Sequence, residues 1–177
     1  MDQIIDSLMA LARVSRSEVA PVAVNLSALA RQAERECRES EAARQVQVSV
    51  EDGLMAQGDA GLLRIVLQNL VGNAWKYSAK RQLALIEVGS QTEAGGQTVY
   101  FVKDNGAGFD MAYAHKLFAP FERLHPASEF AGTGIGLATA QKIISRHGGR
   151  IWAGSMPGQG AAFYFTLGAK APHGLTA

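Results

Sequence analysis

Apolar residues recur at Leu62, Leu63, Val66, Leu67, Leu70, Val71 and Ala74, the spacing of one helix face, and they keep it for about four turns behind a capping residue, Asp59. A stripe that long must lie on a broad apolar partner, and the flanking sequence supplies one with a different period. Val46, Val48 and Val50 alternate ahead of it, with Asp52-Gly53 as a turn. Behind it, residues 83–90 and 97–103 read as a hairpin joined through the polar stretch 91–96, and residues 150–155 and 161–167 as two more strands around Pro157-Gly158. A second helix is expected from a cap at Ser27 to about Arg44. A third should run from the glycine-rich residues 132–136 to about His147 and stop at Gly148-Gly149. Helices interleaved with antiparallel hairpins predict an α+β layered domain rather than a parallel sheet wound by crossovers.

The ends differ from this middle. Ile4, Ile5, Leu8, Met9, Leu11 and Ala12 form one helical stripe. Either that helix docks on its own domain, or it belongs to a helix hairpin whose remainder lies elsewhere; the pattern opens without a capping signal, which favours the hairpin. Residues 15–25, with Pro21, read as a linker into a short extended piece, and 169–177 as a loose tail. The expected divisions are therefore 1–20, 21–168 and 169–177. With 47% apolar and 19% charged residues, 177 residues can bury a real core. A net charge of +1 gives no long-range field for a nucleic acid duplex or an acidic membrane, so an anionic ligand has to be held locally. Cys37 alone excludes an internal disulfide and fits a reducing compartment. No apolar run reaches the ~18–20 residues of a membrane span, and the first residues lack a secretory pattern, so the expected location is cytoplasmic.

Three constellations can carry chemistry. Gly132, Gly134 and Gly136 stand directly before an apolar helix, where unpaired N–H groups and the helix dipole favour a phosphate. Such a run is often merely structural, and no Gly-Lys-Ser/Thr follows to make it a P-loop. Asp104 ends a strand and precedes Gly106 and Gly108; a carboxylate there can accept from an exocyclic amine such as that of adenine, or it can simply open an Asp-Asn-Gly turn. Asn69 and Asn73 share a face of the long helix, with Lys76 and Tyr77 about one turn on. Amide oxygens suit a magnesium ion that keeps waters and phosphates as its other ligands, and Lys76 can neutralise phosphate charge. In the aperiodic stretch 119–131, Arg123 can reach a terminal phosphate if the loop closes, while the nearby Phe118 and Phe121 can equally be loop anchors. His115, His125, His147 and His173 show no metal-ligand spacing, and His147 reads as a helix C-terminal residue on the dipole.

Taken in order, these segments resemble one family. LQNLVGNAWK at 67–76 with Tyr77, DNGAGF at 104–109, LFAPF at 117–121 and GTGIGL at 132–137 are similar to the N box, first glycine box, F box and second glycine box of the ATP-binding catalytic domain of sensor histidine kinases. That domain shares a superfamily with gyrase, a heat-shock chaperone and mismatch-repair ATPases. FERLH at 121–125 further resembles the lid of phytochrome-related kinases. The resemblance implies a Bergerat-type fold, a two-layer sandwich of about five mixed, mostly antiparallel strands with three helices on one face, preceded by a partial helix. It implies ATP and Mg2+ as ligands. Asp104 would take the adenine amine, with room at Gly106 and Gly108, and Asn69 and Asn73 would hold the metal. Lys76, Tyr77, Phe121 and Arg123 would contact the nucleotide or its phosphates. The segment Gly132, Thr133, Gly134, Ile135, Gly136 and Leu137 would bind the phosphate chain, and residues 109–131 would be the lid.

Where hydrolysing relatives place a glutamate, this chain has Asn69, which cannot take a proton from water at neutral pH, so hydrolysis should be slow. No His-Asp/Glu pair stands near the N-terminus, so the chain should not phosphorylate itself. Its partners would be the dimerising phosphoacceptor hairpin of a homodimeric parent kinase and a response regulator receiver domain, with no nucleic acid, and the chain alone would be monomeric or weakly dimeric. A gyrase-like or chaperone-like ATPase and a degenerate, regulatory nucleotide-binding module are the competing readings.

Overall fold

The computed structural model describes residues 2–14, 16, 18–19 and 21–168. The expectation for the 169–177 tail lies outside the described residues. Twelve elements follow one another: α1 (Asp2–Val14), β1 (Val22–Asn25), α2 (Leu26–Ser40), β2 (Val46–Val50), β3 (Met55–Gly58), α3 (Ala60–Tyr77), β4 (Ala84–Thr92), β5 (Thr98–Asp104), a 3-10 helix (Met111–Lys116), α4 (Gly136–Arg146), β6 (Ile151–Ser155) and β7 (Ala161–Phe165). The main sheet runs β2-β4-β5-β7-β6. Its β2–β4 pair is parallel and the other three pairs are antiparallel. Among the described residues, no helix is long and apolar enough to cross a membrane.

The stripe predicted on α3 is the centre of the core. Leu63, Val66, Leu67, Leu70, Val71 and Ala74 are all buried, and they meet Ile86 and Val88 of β4, Tyr100 and Val102 of β5, and Ile143 and Ile144 of α4. Each large side chain buried this way contributes about 1.5–3 kcal/mol, which anchors α2, α3 and α4 on one face of the sheet. Asp59 caps α3 as expected, its carboxylate accepting from Leu62 N–H at 2.9 Å.

Two expectations for the front of the domain need correction. α2 is capped by Asn25, not Ser27, and it ends at Ser40, short of Arg44. Ser27 is instead buried, donating to Glu51 O at 2.6 Å and accepting from Leu54 N–H at 3.0 Å, so it staples α2 to the loop after β2. Arg44 turns back to give its guanidinium to Trp75 O near the end of α3. The structure also adds β3, which pairs antiparallel with β1 and receives the Tyr100 hydroxyl at Met55 O, 2.7 Å away.

His147 ties two helix ends together. Its Nε2 accepts from Asp59 N–H at 3.1 Å, so Nδ1 carries the hydrogen donated to Ile143 O at 2.7 Å. The bond to the last turn of α4 agrees with its expected place; the bridge to the cap of α3 is a tertiary addition. His147→Ala should cost about 2 kcal/mol, because it strands the Asp59 N–H and opens space beside Gly58. A urea unfolding curve would measure this, and an unchanged midpoint would contradict the bridge.

Val14 is buried and α1 packs on α4, yet Ile5 and Met9 stay 55% and 49% exposed. Among the described residues, one side of the helix docks on α4 and the other presents Ile5, Leu8 and Met9 outward.

Candidate nucleotide-binding site

α3, β5, the segment before α4 and the lid converge on one cavity of about 380 Å³. Helical spacing places Asn69, Asn73, Lys76 and Tyr77 along one wall. Asp104, the last residue of β5, stands on the floor with Gly108, beside Ala161 and Phe163 of β7. Gly132, Thr133, Gly134, Gly136 and Leu137 form the third side, and Arg123 lies on the lid.

Asp104 is the group most altered by this setting. Burial raises its carboxyl to about 6, opposed by hydrogen bonds from the backbone of Gly106 and Ala161. The Gly106 N–H lies 2.8 Å from Oδ1, and a carboxylate retains further acceptor sites for an amine. Lys76 is pushed the other way. Burial lowers its ammonium, and the Arg123 charge lowers it further. Two cations that disfavour each other across a cavity wall fit an anionic ligand that relieves both.

The helix start opposite is built for the same sign of charge. α4 begins at Gly136 with no side-chain cap, so its first N–H groups have no side-chain acceptor. Asn69 approaches so closely that a Cβ on Gly136 would stand 2.5 Å from its Oδ1. The amide is oriented by its own helix, Nδ2 donating to Ile65 O at 3.0 Å, which leaves the oxygen turned toward the start of α4. Among the described residues no group of three or more His, Cys, Asp or Glu side chains gathers for a metal. A cation here would depend on the Asn69 and Asn73 amide oxygens, waters and ligand phosphates, a donor set that fits magnesium.

The lid is folded over the end of α3. Asp110 caps the 3-10 helix, its side chain accepting from Ala112 N–H at 2.9 Å. Tyr77, His125 and Phe130 then pack ring against ring, with centroids 4.9–5.3 Å apart. His125 Nε2 donates to Gly108 O at 2.9 Å, joining lid to floor. Arg123 gives its guanidinium to Phe130 O of the lid and to Gly132 O of the glycine segment just beyond it, the latter at 2.6 Å.

Three expected residues stand off the cavity wall. Phe121 is 58% exposed and takes a positive φ of 66°, contributing its N–H to Gly134 O rather than its ring to the cavity. Ile135 is fully buried beneath the start of α4, and Gly106 lies behind Asp104. In the other direction, Phe109, Leu117, Glu122, Leu124, His125, Ala161 and Phe163 line the cavity beyond the residues expected to. The alternation of β7 marks Phe163 as inward-facing, but only strand pairing sets it beside Asp104.

Over 168 residues the chain is 36% identical to the methanogenesis regulatory histidine kinase FilI of Methanothrix harundinacea, a match covering 94% of this chain and 19% of that protein. It is 37% identical over 130 residues to the phytochrome-like protein Cph1 of Synechocystis, covering 73% of this chain and 17% of the other. The chain thus spans less than a fifth of the length of these curated relatives. Among solved structures, full-length ShkA in complex with AMPPNP superposes with a TM-score of 0.72 at 26% identity, covering 93% of this chain and 35% of that one. The catalytic domain of histidine kinase ThkA gives 0.67 at 25% identity, covering 84% and 95%. Residues 58–171, which supply every wall of the cavity, match the family described as histidine kinase-, DNA gyrase B- and HSP90-like ATPase. The chain therefore belongs to that family and carries the ATP-binding catalytic domain of a two-component sensor histidine kinase.

Proposed function

We propose that the cavity binds ATP together with magnesium and presents the γ-phosphoryl to a histidine on a dimerising helical hairpin of the parent kinase, for relay to a receiver domain. The observation that carries this reading is the convergence of Asp104, the Asn69–Asn73 face, Lys76 and the uncapped start of α4 on one cavity. Asp104 accepts the adenine amine. The peptide N–H groups from Gly132 to Gly136 meet the phosphate chain, and Lys76 and Arg123 balance its charge. Asn69 and Asn73 hold magnesium, which would neutralise charge on the phosphate oxygens. In the transfer, the acceptor nitrogen forms a bond to γ-phosphorus as the bond to the β–γ bridging oxygen breaks, and ADP leaves. The exposed apolar side of α1 is continuous with the hairpin in this reading, and the domain works on the cytoplasmic side.

The absence of a carboxylate at position 69 favours transfer over hydrolysis. Steady phosphate release from ATP by the chain alone, lost in Asp104→Asn, would instead support a hydrolysing ATPase. The direct test is a calorimetric ATP titration with and without magnesium. Asn73→Ala should weaken binding by about tenfold when magnesium is present and by less than about twofold when it is chelated. Equal affinities for mutant and wild type in magnesium would remove the metal assignment.

A further inference from the structure

Arg81 lies outside the cavity and on the surface, just beyond α3. Exposed arginines ordinarily wander in solvent, since holding the long side chain in one place costs entropy. This one is spent entirely on backbone. Its Nε donates to Asn105 O at 2.6 Å, and its Nη2 donates to Gly106 O at 3.1 Å and to Gly158 O. The three carbonyls come from two separate loops, the one that follows Asp104 and the β6–β7 turn.

The loop after Asp104 is held by its N–H groups elsewhere. Asn105 N–H donates to Leu85 O at 3.2 Å, and Ala107 N–H to Tyr77 O at 3.0 Å at the end of α3. The Asn105 side chain adds a clasp to β4, accepting from Leu85 N–H at 2.9 Å and donating to Leu83 O at 3.1 Å. Gly158 N–H then reaches Ala107 O at 2.6 Å. Arg81 closes this ring from the carbonyl side, using the planar fork that a lysine lacks. Between the two anchored peptides sits Gly106 N–H, the donor that orients the Asp104 carboxylate.

We propose that Arg81 is a positioning residue for base recognition. It fixes the 105–108 loop so that Asp104 and Gly108 meet the flat face and amino edge of adenine, without touching the nucleotide itself. This inference rests on the ATP reading above. It makes a specific demand: loss of Arg81 must damage recognition of the base and spare recognition of the phosphates.

The experiment is a set of titrations of the full chain, in magnesium, with ATP, GTP and inorganic tripolyphosphate. GTP presents a carbonyl oxygen where ATP presents the amino group, so wild type should prefer ATP. In Arg81→Ala, ATP affinity should fall about tenfold while GTP and tripolyphosphate stay within about twofold, so the ATP-to-GTP preference shrinks by about tenfold. Arg81→Lys restores a charge but no fork and should recover little of that preference. It also serves if the alanine variant does not fold. An unchanged ATP affinity would overturn the proposal, and so would a parallel fall for ATP and tripolyphosphate, which marks general loosening. Wild type that binds ATP no better than GTP would remove the adenine reading first, and this inference with it.

Discussion

Replacing Asp104 by Asn is expected to weaken ATP binding by about a hundredfold while raising the melting temperature of the nucleotide-free protein by about 5 °C. Both effects come from the same buried carboxyl. Its ordinary value is 3.8 and the cavity raises it to about 6. Between those values the folded protein holds a proton that the unfolded chain has released. The stability due to this group is therefore fully present below about pH 4 and is lost as pH rises through about 6. At neutral pH the empty cavity carries a charge that burial disfavours, at a cost of about 3 kcal/mol, and an amide recovers part of it. Binding runs in the opposite direction. The adenine amine needs an acceptor, and an ionised one makes the stronger bond. ATP affinity should be flat above about pH 7 and should fall as pH drops through about 6, approaching tenfold per unit, and Asp104→Asn should abolish that dependence. Titrations from pH 8 to pH 5 and a melting curve for each protein test both halves. A mutant that is less stable than wild type at pH 8 would refute the assignment of burial as the cause.

Gly106→Ala should be strongly damaging although Gly106 itself stands off the cavity wall. A Cβ there would stand 2.3 Å from Tyr77 O and 2.6 Å from Tyr77 C, which are backbone atoms at the end of α3 with no freedom to swing aside. That same Tyr77 carbonyl accepts the Ala107 N–H, so the loop cannot retreat without breaking the bond that fastens it. Overpacking of this kind should cost about 2–3 kcal/mol, a drop of about 5–10 °C for a domain of this size, and should weaken ATP binding at least about tenfold because Asp104 moves with the loop. Gly72→Ala is the matched control. It lies within α3 with nothing within 4 Å of an added Cβ, so it should be stabilising by about 0.5–1 kcal/mol through helix propensity. Melting curves for the pair decide the matter: equal effects would show that the crowding at Gly106 is relieved by motion elsewhere.

The legible parts of this chain are those whose signal is local. The α3 stripe, its Asp59 cap, the two hairpins and the glycine run before α4 are each written within a few turns or one strand pair, and the structure has them all. β1 and β3 are not of that kind. Each is four residues long, too short to show an alternation, and they pair across the whole of α2 and β2. Asn25 and Ser27 are equally good caps by type, and only the burial of Ser27 between Glu51 O and Leu54 N–H decides between them. Phe121 is expected at the nucleotide through the resemblance of LFAPF to the F box; in the fold it takes a positive φ and stands 58% exposed, off the cavity wall.

The residues of the site divide along the same line. By itself the sequence set Asn69, Asn73 and Lys76 on one helix face and Asp104 at a strand end, and the resemblance of its four boxes to the kinase family is what proposed them as a nucleotide set. It determined the layered α+β architecture as well, since the switch between periods allows little else. What only the tertiary structure decided is how those groups are tuned and fixed: the raised Asp104 carboxyl, the opposition of Lys76 and Arg123, His125 joining lid to floor, and Arg81 gripping two loops from outside. The reason is physical. Periodicity is a property of neighbouring residues, whereas desolvation and a three-carbonyl clasp depend on segments brought together from tens of residues apart by the burial of the core.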